Sequence, residues 1–293
     1  MNKRPLLLAL TSSLSLGSLS VARADGVPPP DDAGRTDAAT VVATPPPGPH
    51  LTLPAGKVAL AVALQSDLTS QVAGDAISLA PDLAYGVTDG FTVALVHTTQ
   101  GGTGFWSGLG TGSLCIMGDR CADTYSTGAL LSKVALINTP TVAVAALGGV
   151  IYNVDPFRVG VGLGGEALVH AGPVAVHFKP TIYIGVNERG GETLADGTMI
   201  GPNQEFLNLP LALLVPATPA LQLGVQTGVA APLDGFADAY RIPVAVMGNL
   251  AVTSSMTAGL AFSFDRVAGG DGGMTAPGMM DTRSLTLSLG WVK

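Results

Sequence analysis

The sequence predicts an all-β fold, an up-and-down antiparallel transmembrane β-barrel of 12 strands. Three observations predict it: a two-residue alternation of large apolar and small side chains, a low charge content, and connections that alternate between short turns and long polar loops. The final segment, SLTLSLGWVK, shows the alternation most clearly, because Leu285, Leu287 and Leu289 share one face and small uncharged residues occupy the other. Successive side chains of a strand leave on opposite faces. The Leu face suits lipid, and the small face suits a barrel interior.

Composition limits where such strands can lie. The chain has 293 residues, of which 47% are hydrophobic and only 12% are charged, whereas soluble domains carry about 25% charged residues. The richest apolar run, FLNLPLALLVPATPALQLGV, is interrupted by Pro210, Pro216 and Pro219, and a proline inside a helix costs about 3 kcal/mol. Because no run of 18 apolar residues occurs beyond the N-terminus, a membrane-spanning helix is not expected.

The N-terminus has the parts of a secretory signal peptide. The basic MNKR precedes the apolar PLLLALTSSLSLGSLSV, and ARA supplies small residues for cleavage after Ala24. We therefore predict a signal peptide at residues 1–24. A flexible, Pro-rich periplasmic linker is predicted at residues 25–50, and the barrel at residues 51–293.

The mature chain would be acidic. Cleavage removes three of the 14 basic residues and none of the 21 acidic residues, so 11 − 21 gives a net charge of −10. Nucleic acid is therefore excluded as a partner, because phosphate binding needs clustered Lys and Arg.

The two-residue period recurs along the predicted barrel. In VALAVAL the residues opposite Val and Leu are all Ala, in ISLAPDLAYGV they are mostly small, in FRVGVGLGGEA they are mostly Gly, and in LQLGVQTGV they are Gln and Gly. The twelve predicted strands lie near residues 57–66, 76–87, 91–99, 125–137, 141–152, 158–169, 173–186, 204–215, 219–230, 240–252, 256–265 and 282–292.

The connections fall into two alternating classes. TDG, NTP, AGP, PATP and TSS are tight turns rich in Gly, Pro, Asn, Asp and Ser. The other connections are mostly longer and polar, and they include residues 100–124, 187–203 and 266–281, with 153–157 as a short member. An even strand number with short turns at one end and long loops at the other is the pattern of outer-membrane barrels. Lipid cannot satisfy backbone hydrogen bonds, so the sheet must close.

Prolines and aromatic residues mark special positions in this pattern. Four prolines fall inside predicted strands, where each removes a backbone donor, and we interpret them as bulge sites: Pro81, Pro180, Pro210 and Pro243. Aromatic residues gather near strand ends and predict two interfacial girdles. Tyr85, Phe91 and Trp291 would lie at the short turns, and Phe157, Phe206 and Tyr240 near the long loops.

With its signal peptide, its twelve segments and its last strand ending LGWVK, the chain resembles bacterial outer-membrane β-barrel proteins over residues 51–293. The hairpin LAPDLAYGVTDGFTVALVH is also similar to hairpins of transporters grouped with phenol meta-pathway outer-membrane proteins. The resemblance implies export to the Gram-negative outer membrane, insertion by the barrel-assembly machinery, and contact with outer-membrane lipid.

The predicted interior face carries a small set of charged residues. Acids and bases are balanced there, so the set either braces the barrel as buried ion pairs or lines a pore. The candidate lumen residues are Asp82, Lys133, Glu166, His177, Lys179, Arg241 and Asp265.

Sequence motifs give no catalytic or metal site. GVGLGG matches a dinucleotide-binding fingerprint, but a strand rather than a helix follows it, so its glycines are assigned to the lumen wall. The histidines lack HExxH spacing, and there is no G-x-S-x-G. Neither an enzyme nor a cofactor is therefore expected. Cys115 and Cys121 enclose IMGDR, and a loop disulfide is predicted because the periplasm is oxidising.

The small inward-facing residues predict unfilled volume inside the barrel, unless a loop or the Pro-rich N-terminal segment occupies it. Barrel diameter grows with strand number, and a water-filled interior is a conduit. We therefore expect a pore or transporter for small solutes. The alternatives are a structural or surface-interaction barrel without transport and a secreted, soluble β-sandwich, which shares the two-residue period but does not explain the low charge.

Overall fold

The computed structural model describes residues 50–68, 77–97, 114–117, 127–154, 157–193, 199–270 and 283–293. These ranges contain strands β1 (Val58–Asp67), β2 (Ile77–Thr88), β3 (Phe91–Val96), β4 (Leu114–Met117), β5 (Thr127–Asn138), β6 (Val142–Asn153), β7 (Arg158–Ala171), β8 (Val174–Phe178), β9 (Thr181–Gly185), β10 (Glu192–Thr193), β11 (Met199–Ile200), β12 (Phe206–Pro216), β13 (Leu221–Pro232), β14 (Arg241–Ala251), β15 (Met256–Gly269) and β16 (Arg283–Val292), with one helical turn, α1 (Phe236–Ala239). The predicted signal peptide and all but the last residue of the predicted linker lie outside the described residues.

The sheet closes on itself. Each barrel strand pairs antiparallel with its neighbours, and β1 pairs with both β2 and β16, so that Leu64 lies opposite Leu79 on one side and Leu287 on the other. Within the described ranges the barrel has twelve strand positions, because β3 and β4 share one and β8 and β9 share another. The predicted 12-stranded antiparallel barrel is confirmed. None of the helical residues described forms a helix long and apolar enough to cross a membrane.

The two faces of the barrel differ as the sequence predicts. Large apolar side chains on the outside stay exposed, and Leu83, Leu287 and Leu289 are 48%, 50% and 59% accessible. Their inward-pointing neighbours Asp82 and Thr286 are both 3% accessible. Soluble proteins rarely expose apolar surface around their whole circumference, whereas a lipid-facing band requires it.

The two ends of the barrel also differ. The short turns lie at one end, which we call the short-turn mouth, and the longer connections lie at the other, the long-loop mouth. The chain enters β1 and leaves β16 at the short-turn mouth, where the Val58 N–H donates to the Lys293 carbonyl at 3.1 Å and the Lys293 N–H donates to the Val58 carbonyl at 2.9 Å. In outer-membrane barrels the short turns face the periplasm.

The in-strand prolines correct one expectation. Pro243 lies at a bulge, between Ile242 and Val244, as predicted. Pro81 and Pro210 instead keep a regular register with β1 and β13, and they lie opposite the gaps between β3 and β4 and between β8 and β9. Pro180 divides the predicted strand 173–186 into β8 and β9. Because proline has no N–H, it fits where the neighbouring strand offers no partner.

Candidate functional site

Five charged or titratable side chains meet inside the barrel. Asp82 comes from β2, Lys133 from β5, Glu166 from β7 and His177 from β8, and Lys179 lies between β8 and β9. All five are buried, from 2% accessible for Glu166 and Lys179 to 8% for His177. We call this set the charge belt.

Glu166 is the centre of the charge belt. Its Oε2 lies 2.5 Å from the Lys133 ammonium, and its Oε1 lies 2.8 Å from His177 Nε2. Lys133 and Glu166 reach each other across β6, where Ala145 lies directly opposite Glu166. An alanine at this position leaves room above the strand, so the two long side chains can meet.

Lys179 extends the charge belt across the barrel. Lys179 is 2% accessible, and its ammonium has no hydrogen-bond acceptor among the described residues. Asp82 is fixed through Oδ1, which accepts the His97 backbone N–H at 2.7 Å.

Part of the inner wall of the barrel is covered by other side chains. Even the small inward-facing residues of the wall are covered, since Ala145, Ala245 and Ser263 are each only 1% accessible. The expected unfilled volume is therefore not found beside these residues.

Residues 50–56, the mouth segment, enter the barrel at the short-turn mouth. The Thr52 hydroxyl donates to the Asp89 carbonyl at 2.6 Å, the Leu53 N–H donates to Thr92 Oγ1 at 2.8 Å, and the Ala55 N–H donates to Asp89 Oδ1 at 2.9 Å. The Leu53 side chain belongs to the buried apolar cluster on the inner wall. The mouth segment thus covers part of the opening.

Two glycines allow the mouth segment to run along the inner wall and then turn into β1. Gly86 faces inward on β2, and a Cβ there would overlap the carbonyl oxygen of Pro54. Gly56 has a φ of +74°, a left-handed conformation that glycine adopts without strain, and it turns the chain from the mouth segment into β1.

Asn203 lies in the described part of the connection from β9 to β12, and it is buried near the long-loop mouth with 4% accessibility. Its side-chain amide donates to the carbonyls of Val159 at 3.0 Å and Asn187 at 2.9 Å, and its Oδ1 accepts the Tyr183 hydroxyl at 2.7 Å. The Arg158 guanidinium donates to the Gly201 carbonyl in the same region. Sequence patterns did not indicate this network, because a single Asn in a polar loop carries no periodicity.

An exposed ion pair lies in the same connection. Arg189 Nη2 is 2.5 Å from Glu205 Oε1. Hydrogen bonding to its own backbone amide and to the Arg189 guanidinium lowers the pKa of Glu205.

The structure places Arg241 apart from the charge belt. Arg241 begins β14 near the long-loop mouth, and its guanidinium carbon is 5.7 Å from the centre of the Phe206 ring. Asp265 belongs to β15, and its side chain lies outside the described part of the structure. Cys115 lies in β4, whereas Cys121 lies outside the described residues, so their pairing stays a prediction. Among the described residues no cluster of three or more His, Cys, Asp or Glu could hold a metal ion.

Comparison with known proteins identifies the fold. No family model matches the chain, and no curated protein matches it. The NanC porin superposes with a TM-score of 0.52 at 10% identity over 80% of this chain and 98% of the porin. This similarity shows the fold, that of a bacterial outer-membrane β-barrel, and confirms the resemblance at that level.

Two other channels align at lower scores. An outer-membrane channel from Pseudomonas putida F1 has a TM-score of 0.49 at 15% identity, over 84% of this chain and 99% of the channel. The CymD monoaromatic hydrocarbon channel has a TM-score of 0.46 at 11% identity, over 82% of this chain and 89% of CymD.

Proposed function

We propose that this protein is an outer-membrane conduit for small solutes. The observation that carries the proposal is the charge belt, a set of acidic and basic side chains buried inside a closed, lipid-exposed barrel. The fold supports the proposal, because the NanC porin, a structure with the same fold, is itself a porin.

A set of buried charges such as the charge belt is a poor way to stabilise a barrel. Buried ion pairs lose hydration, and well-packed apolar residues in their place are often as stable or more stable. A barrel that served only as a scaffold could fill its interior with the apolar side chains that already make up 47% of the chain. The buried charges therefore favour a role in which a polar solute contacts charged side chains inside the barrel.

The charges also indicate the class of solute. Lys133 and Lys179 oppose Asp82 and Glu166, so the charge belt offers both donors and acceptors without a net preference for one sign. Small polar or zwitterionic solutes fit such a lining best. The mouth segment, which covers part of the opening, restricts their size.

The same proposal covers the route to the membrane. Export uses the signal peptide at residues 1–24, which is removed, and the Pro-rich linker that follows it remains in the periplasm with the short-turn mouth. The barrel fold supports the further proposal that the protein is inserted by the barrel-assembly machinery and contacts outer-membrane lipid.

A structural barrel without transport is the second candidate, and the covered interior wall favours it. Swelling of liposomes that contain the purified protein separates the two. A conduit should admit small uncharged sugars faster than oligosaccharides, and protein-free liposomes supply the baseline. Baseline swelling with every sugar, from protein that keeps heat-modifiable gel mobility, would favour the structural barrel.

A further inference from the structure

A cleft of about 530 Å³ lies at the short-turn mouth, where the first and last strands meet. It is lined by Ala55, Gly56, Lys57, Val58, Trp291 and Lys293. The backbone hydrogen bonds between Val58 and Lys293 hold its two walls together. Gly56, which turns the chain from the mouth segment into β1, is part of this lining.

Two cations stand at this cleft, although cations are scarce in the chain. Lys57 and Lys293 are both exposed. The other described basic residues lie elsewhere: Lys133 and Lys179 are in the charge belt, and Arg158, Arg189, Arg241, Arg266 and Arg283 lie towards the long-loop mouth. The carboxylate of Asp89 at the same mouth accepts the Ala55 N–H. The short-turn mouth thus carries its described positive charge at one place.

The apolar side of the cleft faces lipid. Trp291 is 39% accessible and is flanked on the outer surface by its register partners Leu60 and Met256. Tyr85 points outward beside Val58 on the other side of β1. Trp and Tyr collect at the membrane–water interface, and lysines near strand ends extend their ammonium groups towards the headgroups. The cleft therefore lies where headgroups begin.

We propose that this cleft binds the phosphate of an anionic glycerophospholipid in the periplasmic leaflet. Lys57 and Lys293 bind the phosphate, and the acyl chains lie along Trp291 and the leucines beyond it. The proposal rests on the membrane placement given above. It does not rest on solute passage, so a silent channel leaves it intact.

Fluorescence quenching of Trp291 tests the proposal. Trp106→Phe removes the other tryptophan, and the full-length protein is placed in phosphatidylcholine vesicles that contain brominated phosphatidylglycerol or brominated phosphatidylcholine. Quenching gives the relative affinity of the two lipids at Trp291. We expect a preference for phosphatidylglycerol that Lys57→Gln/Lys293→Gln reduces by at least fivefold, since one lysine near an anionic surface contributes roughly a factor of five.

The matched control is Arg189→Gln, which removes an exposed cation at the opposite mouth and should leave the preference unchanged. Retained heat-modifiable mobility shows that each variant is folded. Equal affinity for both lipids in the parent, or the same preference in the double lysine variant, would overturn the proposal. Loss of the preference when millimolar inorganic phosphate replaces chloride would also overturn it, because the cleft would then take free phosphate rather than a headgroup.

Discussion

The carboxylate of Glu166 lies 2.5 Å from the ammonium of Lys133, with both side chains at least nine-tenths buried inside the barrel. The two residues stand on strands that are not neighbours, and β6 runs between them. Their contact joins three strands at one level of the interior. A second carboxylate–cation pair, Arg189 and Glu205, has the same 2.5 Å separation but is exposed. The two pairs allow a buried and a solvated ion pair to be compared within one protein.

Glu166→Gln should destabilise the barrel, because it leaves the buried Lys133 without its carboxylate. Removing one partner of a buried pair costs about 3–5 kcal/mol. Glu205→Gln is the control, since solvent screens that pair and its loss should matter little. The measurement is the free energy of unfolding by urea in lipid vesicles. Equal stability of the two variants would mean that the Lys133–Glu166 contact is not formed.

Leu287→Arg should harm folding more than Ser288→Arg. Leu287 points to lipid and is 50% accessible, whereas Ser288 points inward. Arginine on the lipid face at mid-membrane costs about 2–4 kcal/mol. The folded fraction, read from heat-modifiable mobility after refolding into vesicles, compares the two. If both variants fold equally well, the assignment of faces is wrong.

Gly86→Ala should expel the mouth segment, since the new methyl group would occupy the space of the Pro54 carbonyl. The expected result is faster hydrogen exchange at the Leu53 amide, which donates to Thr92 Oγ1. Gly90→Ala is the control, because no atom lies within 4 Å of the position its Cβ would take. Unchanged exchange in a folded Gly86→Ala protein would refute the described path of residues 50–56.

The mature protein should begin at Asp25, because the ARA sequence directs cleavage after Ala24. N-terminal sequencing of protein extracted from outer membranes checks this. Met1 retained in that material would contradict both the signal peptide and the proposed export route.

Most of the barrel can be predicted from the sequence. Lipid on one face of each strand and a confined interior on the other impose an alternation of large apolar and small side chains with a period of two residues. The predicted strand at 141–152 and the observed β6 (Val142–Asn153) differ by one residue at each end. The inward placement of the charge-belt residues follows from the same period. The alternation of apolar side chains and the positions of turn residues were therefore sufficient to predict the fold and which side chains point inward.

Other features depend on contacts that local sequence does not encode. The division at Pro180 requires a neighbouring strand with Pro210 at the same level, which only the register reveals. The meeting of Lys133 with Glu166 depends on the size of Ala145 on the strand between them. Leu53 precedes the first predicted strand at residues 57–66, and its burial depends on an inward glycine at Gly86, more than 30 positions away.

Single-channel recording in planar bilayers tests the central claim most directly. The purified full-length protein should give discrete conductance steps, because a closed barrel with a charged interior conducts ions together with small solutes. Lys179→Gln removes one positive charge from the charge belt and should therefore shift the selectivity of those steps towards cations. Arg189→Gln at the rim should shift it less, since salt screens an exposed charge. The account would be contradicted if folded, heat-modifiable protein gave no conductance steps. It would also be contradicted if Lys179→Gln left the ion selectivity of the steps unchanged.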